Sequence, residues 1–353
     1  MNRFTFYPSR TSGLCFLLFA LLLASCTPTS TEPQTITILT HDSFAISEDV
    51  IAAFETANNA KVTFLQSGDA GAVLNQAVIS KDAPLADILF GVDNTFLSRA
   101  LDADIFEAYQ SPVLSQISAE YILDETYHAL PVDYGDVCIN YDKNYFTENN
   151  LAIPQTFEDL AKPEYNDLLV VEDPATSSPG LAFLLATRAH FGDEYLTYWQ
   201  SLKENGVVVV DDWETAYYTN FSASSGKGPQ PMVVSYASSP AAEVFFASKP
   251  LTESPTASIV APGMCFRQIE FVGILKNTPN QKLAQKFVDF MLGQKFQEDM
   301  PLNMFVYPTN KNAKLPDVFV KFAQVAENPA VLSYSEIAAN RDAWIEAWTE
   351  AMK

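Results

Sequence analysis

Three histidines and four cysteines in 353 residues give this chain few of the side chains that metal and nucleophilic chemistry usually draw on. The sequence has no G-x-x-x-x-G-K-[ST] loop, no G-x-S-x-G elbow, no H-E-x-x-H helix and no C-x-x-C pair. Acidic pairs such as Asp211-Asp212 lack an evident partner and read as a solvated strand end rather than a catalytic dyad. Basic residues are scarce: 21 Lys and Arg stand against 43 Asp and Glu, a formal charge of −22. This balance argues against nucleic acid and anionic membrane surfaces, which both reward Lys/Arg faces. It suits a cationic ligand, although acidic surface also serves solubility by itself. No internal repeat is present, and the longest apolar run, Leu14 to Leu23, is too short to span a bilayer as a helix, which needs about 20 residues.

That short run is part of a targeting segment. Arg3 and Arg10 precede it, and Leu23-Ala24-Ser25-Cys26 follows it as a lipobox, the cleavage signal of bacterial lipoproteins. Residues 1–25 are therefore predicted to be a signal peptide, Cys26 the lipidated first residue of the mature chain, and residues 26–34 a Thr/Pro/Ser-rich tether. The folded part is expected to work outside the cytoplasm, held to the membrane only by acyl chains. Cys138 and Cys265 remain in that part, either as one disulfide or as two buried thiols.

After the tether the chain alternates strand and helix patterns. TITILT (35–40), KVTFLQ (61–66) and DILFGV (87–92) read as strands, separated by amphipathic helices that begin near Ser47 and Ala70. The strand ends carry Asp42, Asp69 and Asp93. The stretch 127–141 reads as a crossover into a second lobe and 266–276 as the return. The predicted class is α/β with two lobes, each a mixed, mainly parallel sheet flanked by helices. Residues 35–136 plus 268–353 form the first lobe and 137–267 the second. Leu283, Phe287, Phe290 and Met291, and later Trp344, Trp348 and Met352, recur at helical spacing and read as core-facing stripes.

The second lobe holds the richest stretch, Val207 to Glu243. Two of its apolar runs end in groups suited to a ligand, and in open α/β sheets ligands bind at the carboxyl ends of strands. Trp213 follows the first run, where an indole could stack on a flat or cationic ring, worth about 0.5–2 kcal/mol; a core Trp is the bland alternative. Tyr217 and Tyr218 follow, either as phenolate ligands or as one buried and one exposed helical position. Ser177-Ser178-Pro179 and Ser238-Ser239-Pro240 each suit a helix start, with Pro in the first turn and Ser at the cap. Such starts offer free N–H groups to an oxygen ligand, or serve only as caps.

With these residues in view, the chain resembles the thiamine-binding subunits of bacterial ABC importers, within the type II periplasmic binding proteins. The resemblance rests on THDSF (40–44), SGDAGAVLN (67–75), DILFGVDN (87–94), PVDYG (131–135), DPATSSPGL (173–181), DWETAY (212–217), SYASSP (235–240) and RDAWIEAW (341–348). It implies a ligand in the cleft between lobes, with contacts at Asp69, Ala70, Ser177, Ser178, Trp213 and Tyr236 through Pro240, the last span including Ala237, Ser238 and Ser239. His41 and Tyr217 join this candidate set. His41 and Ala242 depart from the family pattern, which has aromatic residues at both positions. The resemblance implies a monomeric solute-binding protein, with no cofactor, no metal and no enzymatic activity, that delivers thiamine or its phosphates to a permease. Ferric-ion capture through His41, Tyr217 and Tyr218 is the alternative within the fold. An extracytoplasmic enzyme acting on thiamine or pyrimidine breakdown products is the alternative from another class, with Cys138 as its candidate thiol.

Overall fold

The computed structural model describes residues 32–223 and 227–353, together with residues 1, 3 and 5. The lipobox, Cys26 and most of the expected tether lie outside the described residues. Among the described residues eleven strands form one continuous sheet: β1 (Gln34–Thr40), β2 (Ala60–Gln66), β3 (Ile88–Asp93), β4 (Phe106–Glu107), β5 (Leu130–Asp142), β6 (Leu169–Glu172), β7 (Val208–Val210), β8 (Met232–Tyr236), β9 (Thr256–Ile259), β10 (Phe266–Leu275) and β11 (Tyr307–Pro308). The main path runs β2-β1-β3-β10-β5-β8-β6-β7.

At one end β2, β1 and β3 pair in parallel, as their strand–helix alternation predicts. Both faces of this group are covered. Ile36, Ile38, Ile88 and Phe90 bury on one side, while Leu39 and Leu89 bury on the other, so the strands read as nearly unbroken apolar runs. The helix Glu48–Asn58 covers the first side through Val50 and Phe54, and ends where Asn59 takes a left-handed φ of 45°. Phe287, fully buried in the helix Gln281–Leu292, meets Phe54 edge-on at 4.9 Å between ring centroids. At the other end β8, β6 and β7 are again parallel.

The antiparallel pairs of the main path arise where the chain passes between lobes. β10 lies between β3 and β5, pairing with β3 through Glu270–Ile274 and with β5 through Phe266–Val272, and β5 continues to pair with β8. These long strands are the two crossovers expected from the sequence. Beside them, Cys138 in β5 and Cys265 just before β10 form a disulfide, which settles the choice left open above. It closes a loop with a sequence separation of 127.

The C-terminal helix Tyr334–Met352 buries Trp344 and Trp348 as its spacing predicts. Trp348 packs perpendicular to Trp199 at 5.4 Å, whereas Arg341 lies 5.1 Å over the Phe96 ring. The helix therefore packs against both Trp199 and Phe96.

Candidate functional site

Strand ends from both lobes meet around a cavity of about 290 Å³. From the first lobe, β1 ends in His41-Asp42-Ser43-Phe44, and β2 is followed by the Ser67-Gly68-Asp69 turn. The two loops are tied together, because the Gly68 N–H donates to Asp42 Oδ1 at 2.7 Å and the Asp42 N–H to the Gly68 carbonyl at 3.0 Å. Asp69 caps the helix Ala70–Ile79, accepting from the Ala70 N–H at 2.6 Å. Its second oxygen is shielded from solvent and accepts no hydrogen bond of good geometry. Burial raises the Asp69 pKa, and Ser177, the Ala70 N–H and His41 act against that rise.

The second lobe contributes rings. After β7 the chain enters a wide π-helical turn, Thr215–Asn220, a form that recurs at functional sites. Trp213 stacks on Tyr217 at 5.1 Å and 21°, with Tyr218 edge-on at 5.5 Å and Tyr236 at 6.4 Å. The indole is pinned by its N–H, which donates to Ser235 Oγ at 3.0 Å, and Ser235 is within 2.9 Å of Ser239. Tyr217 is buried and donates to Glu243 at 2.7 Å, while Tyr218 is exposed. Tyr236 donates to Gln268 Oε1 at 2.9 Å, and Gln268 donates in turn to Asp93. Gly135 makes room for the Tyr236 ring, since a Cβ there would lie 2.8 Å from its Cδ1.

The floor is electrostatic. His41 Nε2 lies 3.4 Å from Glu270 Oε1 in a buried ion pair. Burial lowers the His41 pKa, but the carboxylates of Glu270, Asp69 and Asp42 together outweigh it and the net shift is upward. Burial likewise pushes Glu270 up, and His41 with Asp133 more than reverses that. Register places Glu270 opposite Asp93 on one side and Asp133 on the other. Burial drives Asp93 up to about 7 and, with Glu270 beside it, holds Asp133 far above the ordinary carboxylate range.

Of the sequence-predicted residues, His41, Asp69, Ala70, Ser178, Trp213, Tyr217, Tyr236 and Ser239 line this cavity. Ser177, Ala237, Ser238 and Pro240 are buried behind its wall. Both prolines stand in the first turn of their helices, as expected, but neither serine at the cap position caps through its side chain. The Ser238 hydroxyl is drawn instead to the Phe305 carbonyl, anchoring the segment that closes the far wall. Sequence reasoning missed that segment, Asn303 to Val306, together with Phe246, Glu214 and Glu270. Two signals were available: Glu270 is the one acid in the apolar run FRQIEFVGIL, and Phe246 lies one helical turn beyond Ala242. A second cavity of about 300 Å³ adjoins the first, sharing Asp42, Asp69 and Glu214 and adding Asp212 and Thr219.

The geometry bears on the two alternatives. Tyr217 is already engaged by Glu243, and burial followed by Glu243 holds its hydroxyl well above its ordinary pKa, which opposes a phenolate ligand. Cys138, in a disulfide, is not a free nucleophile.

Residues 83–321 match the family model of the bacterial extracellular solute-binding proteins. The chain belongs to this family. Its place is outside the cytoplasm, and its work is the binding of a small solute rather than a family-wide catalytic reaction. This solute-binding protein is 30% identical over 341 residues to the thiamine-binding periplasmic protein of Escherichia coli, covering 94% of this chain and 97% of that one. It matches the solved structure of a periplasmic thiamin binding protein with a TM-score of 0.79 at 27% identity, over 91% and 97% of the two chains. A ferric binding protein from Campylobacter jejuni matches with a TM-score of 0.72 at 19% identity, over 90% and 99%, a likeness of fold alone. The expected type II periplasmic binding fold is thereby established for this chain.

Proposed function

We propose that this solute-binding protein captures thiamine in the cleft and delivers it to an ABC permease. One observation carries the reading: the Asp69 carboxylate, with one oxygen shielded from solvent and held by no hydrogen bond of good geometry, lies in the same small cavity as the ring cluster of Trp213, Tyr217 and Tyr236. Such a cavity binds a flat, cationic ligand with a hydrogen-bond donor. The aminopyrimidine stacks on the rings, its amine donates to Asp69, and the thiazolium charge faces Glu214 and Asp42. The names carried by the relatives above agree with this assignment. A ligand of about 18 heavy atoms at roughly −0.5 kcal/mol each gives a sub-micromolar Kd.

In this reading the binding set is Asp69, Ala70, Ser178, Trp213, Tyr217, Tyr236, Ser239 and His41, with Ser177, Ala237, Ser238 and Pro240 holding the wall from behind. The lobes are residues 35–136 plus 268–353 and 137–267, the protein is a monomer, and a lipid on Cys26 tethers it to the membrane. Fluorescence titration with thiamine, repeated by calorimetry and on Trp213→Ala, tests the ligand. Saturable binding that weakens at least tenfold in the variant supports it, whereas a folded protein silent to thiamine in both assays discards it. Detergent-phase partitioning that persists in Cys26→Ser would remove the lipid anchor.

A further inference from the structure

The hydroxyl of Tyr236 is held from behind the cavity wall. Tyr236 ends β8, and β5 lies between β8 and β10 in the sheet. The ring lies across β5 at Gly135, where a Cβ would come within 2.8 Å of Cδ1 and 3.2 Å of Cε1. Register puts Gly135 opposite Gln268 of β10, so a ring passing over this glycine reaches Gln268. There the hydroxyl donates to Gln268 Oε1 at 2.9 Å. Gln268 is 2% exposed and does not line the cavity. Its Nε2 donates to Asp93 Oδ2. Asp93 Oδ1 in turn accepts from the Thr95 hydroxyl at 2.6 Å and from the Thr95 and Phe96 N–H groups at 3.1 and 3.3 Å. A side-chain amide has one acceptor end and one donor end, and both ends of Gln268 are engaged.

The Tyr236 carbonyl accepts from Asn140 Nδ2 at 3.0 Å, so what remains to be fixed is the side chain. Beneath the ring Gly135 supplies no side chain, and in front of it lies the cavity. The hydroxyl is therefore the anchor that sets the tilt of the ring. That tilt matters, because Tyr236 stands at 65° to Trp213 with 6.4 Å between centroids, and a ligand must fit the corner between the two planes. A wall fixed beforehand binds more tightly, since less ordering remains to be done on binding. We infer that Gln268 is a positioning residue of the binding site: from behind the wall it fixes the Tyr236 ring at the angle the ligand meets, with Asp93 as its anchor and Gly135 as the gap the ring crosses. This deepens the thiamine reading and rests on it, since in that reading Tyr236 is a ligand contact. In the proposed division Tyr236 belongs to the second lobe and Gly135, Gln268 and Asp93 to the first, so one lobe orients a ring of the other.

The test is a calorimetric titration with thiamine of the parent protein, Gln268→Met, Tyr236→Phe, the double variant and Tyr236→Ala, each with a thermal melt. Methionine matches glutamine in length and lacks the amide. Gln268→Met and Tyr236→Phe are each expected to weaken binding about three- to tenfold, the worth of one hydrogen bond. The double variant binds no more weakly than the weaker single one, because both changes break the same bond. A role confined to stability would lower the melting temperature and leave the affinity of the folded protein unmoved. Parent-like affinity in Gln268→Met would overturn the inference, and so would losses that multiply in the double variant. Should Gln268→Met fail to fold, Tyr236→Phe breaks the bond at its other end, and parent-like affinity there overturns the inference equally. Parent-like affinity in Tyr236→Ala would remove the ring as a contact, ending this inference while leaving thiamine capture standing. A folded parent protein silent to thiamine would overturn the capture reading, and this inference with it.

Discussion

Glu270 Oε1 lies 3.4 Å from His41 Nε2 at the floor of the cleft, and the same residue stands opposite Asp133 on the neighbouring strand. The Glu270 carboxylate thus faces an imidazole whose pKa is raised on one side and a carboxyl whose pKa is raised on the other. The sign of the resulting pH dependence follows from the shifts. His41, Asp93 and Asp133 have folded pKa values above their unfolded ones, so each contributes stability that is full below its unfolded value and is lost as pH rises through the folded value. For Asp93 that window runs from the ordinary Asp value to about 7. Glu270, with its folded pKa lowered, contributes stability above its unfolded value and loses it in acid. The protein is therefore expected to melt at a higher temperature at about pH 5 than at about pH 8. Asp133→Asn, a neutral mimic of the protonated acid, is expected to gain on the order of 1 kcal/mol at the higher pH and to flatten the difference. Thermal melts across that range decide it, and an unchanged slope in the variant would reject the assignment.

Trp213 holds its place through Ser235 and stacks on Tyr217, so Trp213→Ala removes a ring face without unmaking a fully buried core. Thiamine affinity is expected to fall about tenfold or more. Calorimetry reads the affinity, and a parallel melt shows whether the fold survives.

Phe246 lines the cavity yet is 68% exposed, in contact with Phe245 and Phe305. Phe246→Ala is expected to leave stability within about 0.5 kcal/mol and to weaken ligand binding several-fold. Unchanged binding would show the ring to be a bystander at the cleft mouth.

Gly91 has φ +99°, and a Cβ there would strike the His41 ring. Gly91→Ala combines a strained backbone with a displaced His41, so a loss of roughly 1–3 kcal/mol is expected. The ligand affinity of the folded fraction should fall as well. Urea unfolding and titration measure the two losses separately.

The Cys138–Cys265 disulfide closes a loop with a sequence separation of 127. Replacing both cysteines by serine is expected to cost roughly 2–5 kcal/mol, measured by urea unfolding, with ligand binding retained below the transition because neither residue lines the cavity.

The sequence by itself determined the class of fold and half of the site. Period-two strands and 3.6-period helices are local signals, which is why 35–40, 61–66 and 87–92 were legible as parallel strands and Phe287 and Trp348 as core. Trp213, Tyr236 and Asp69 were legible because each stands at a strand end, where open sheets expose their ligand groups. Tertiary structure alone decided how the cleft is charged and closed. Glu270 reads in sequence as an oddity in an apolar strand, and only the register of β10 between β3 and β5 turns it into the partner of His41 and the neighbour of two more acids. Phe305, with a left-handed φ of 55°, reaches the cavity from a part of the chain remote from every other wall residue but its immediate neighbours. Ser177 and Ser238 show the converse: both looked like helix caps, and packing between segments far apart in sequence gave their hydroxyls other surroundings. Contacts of that kind depend on which strands become neighbours, and no local pattern records it.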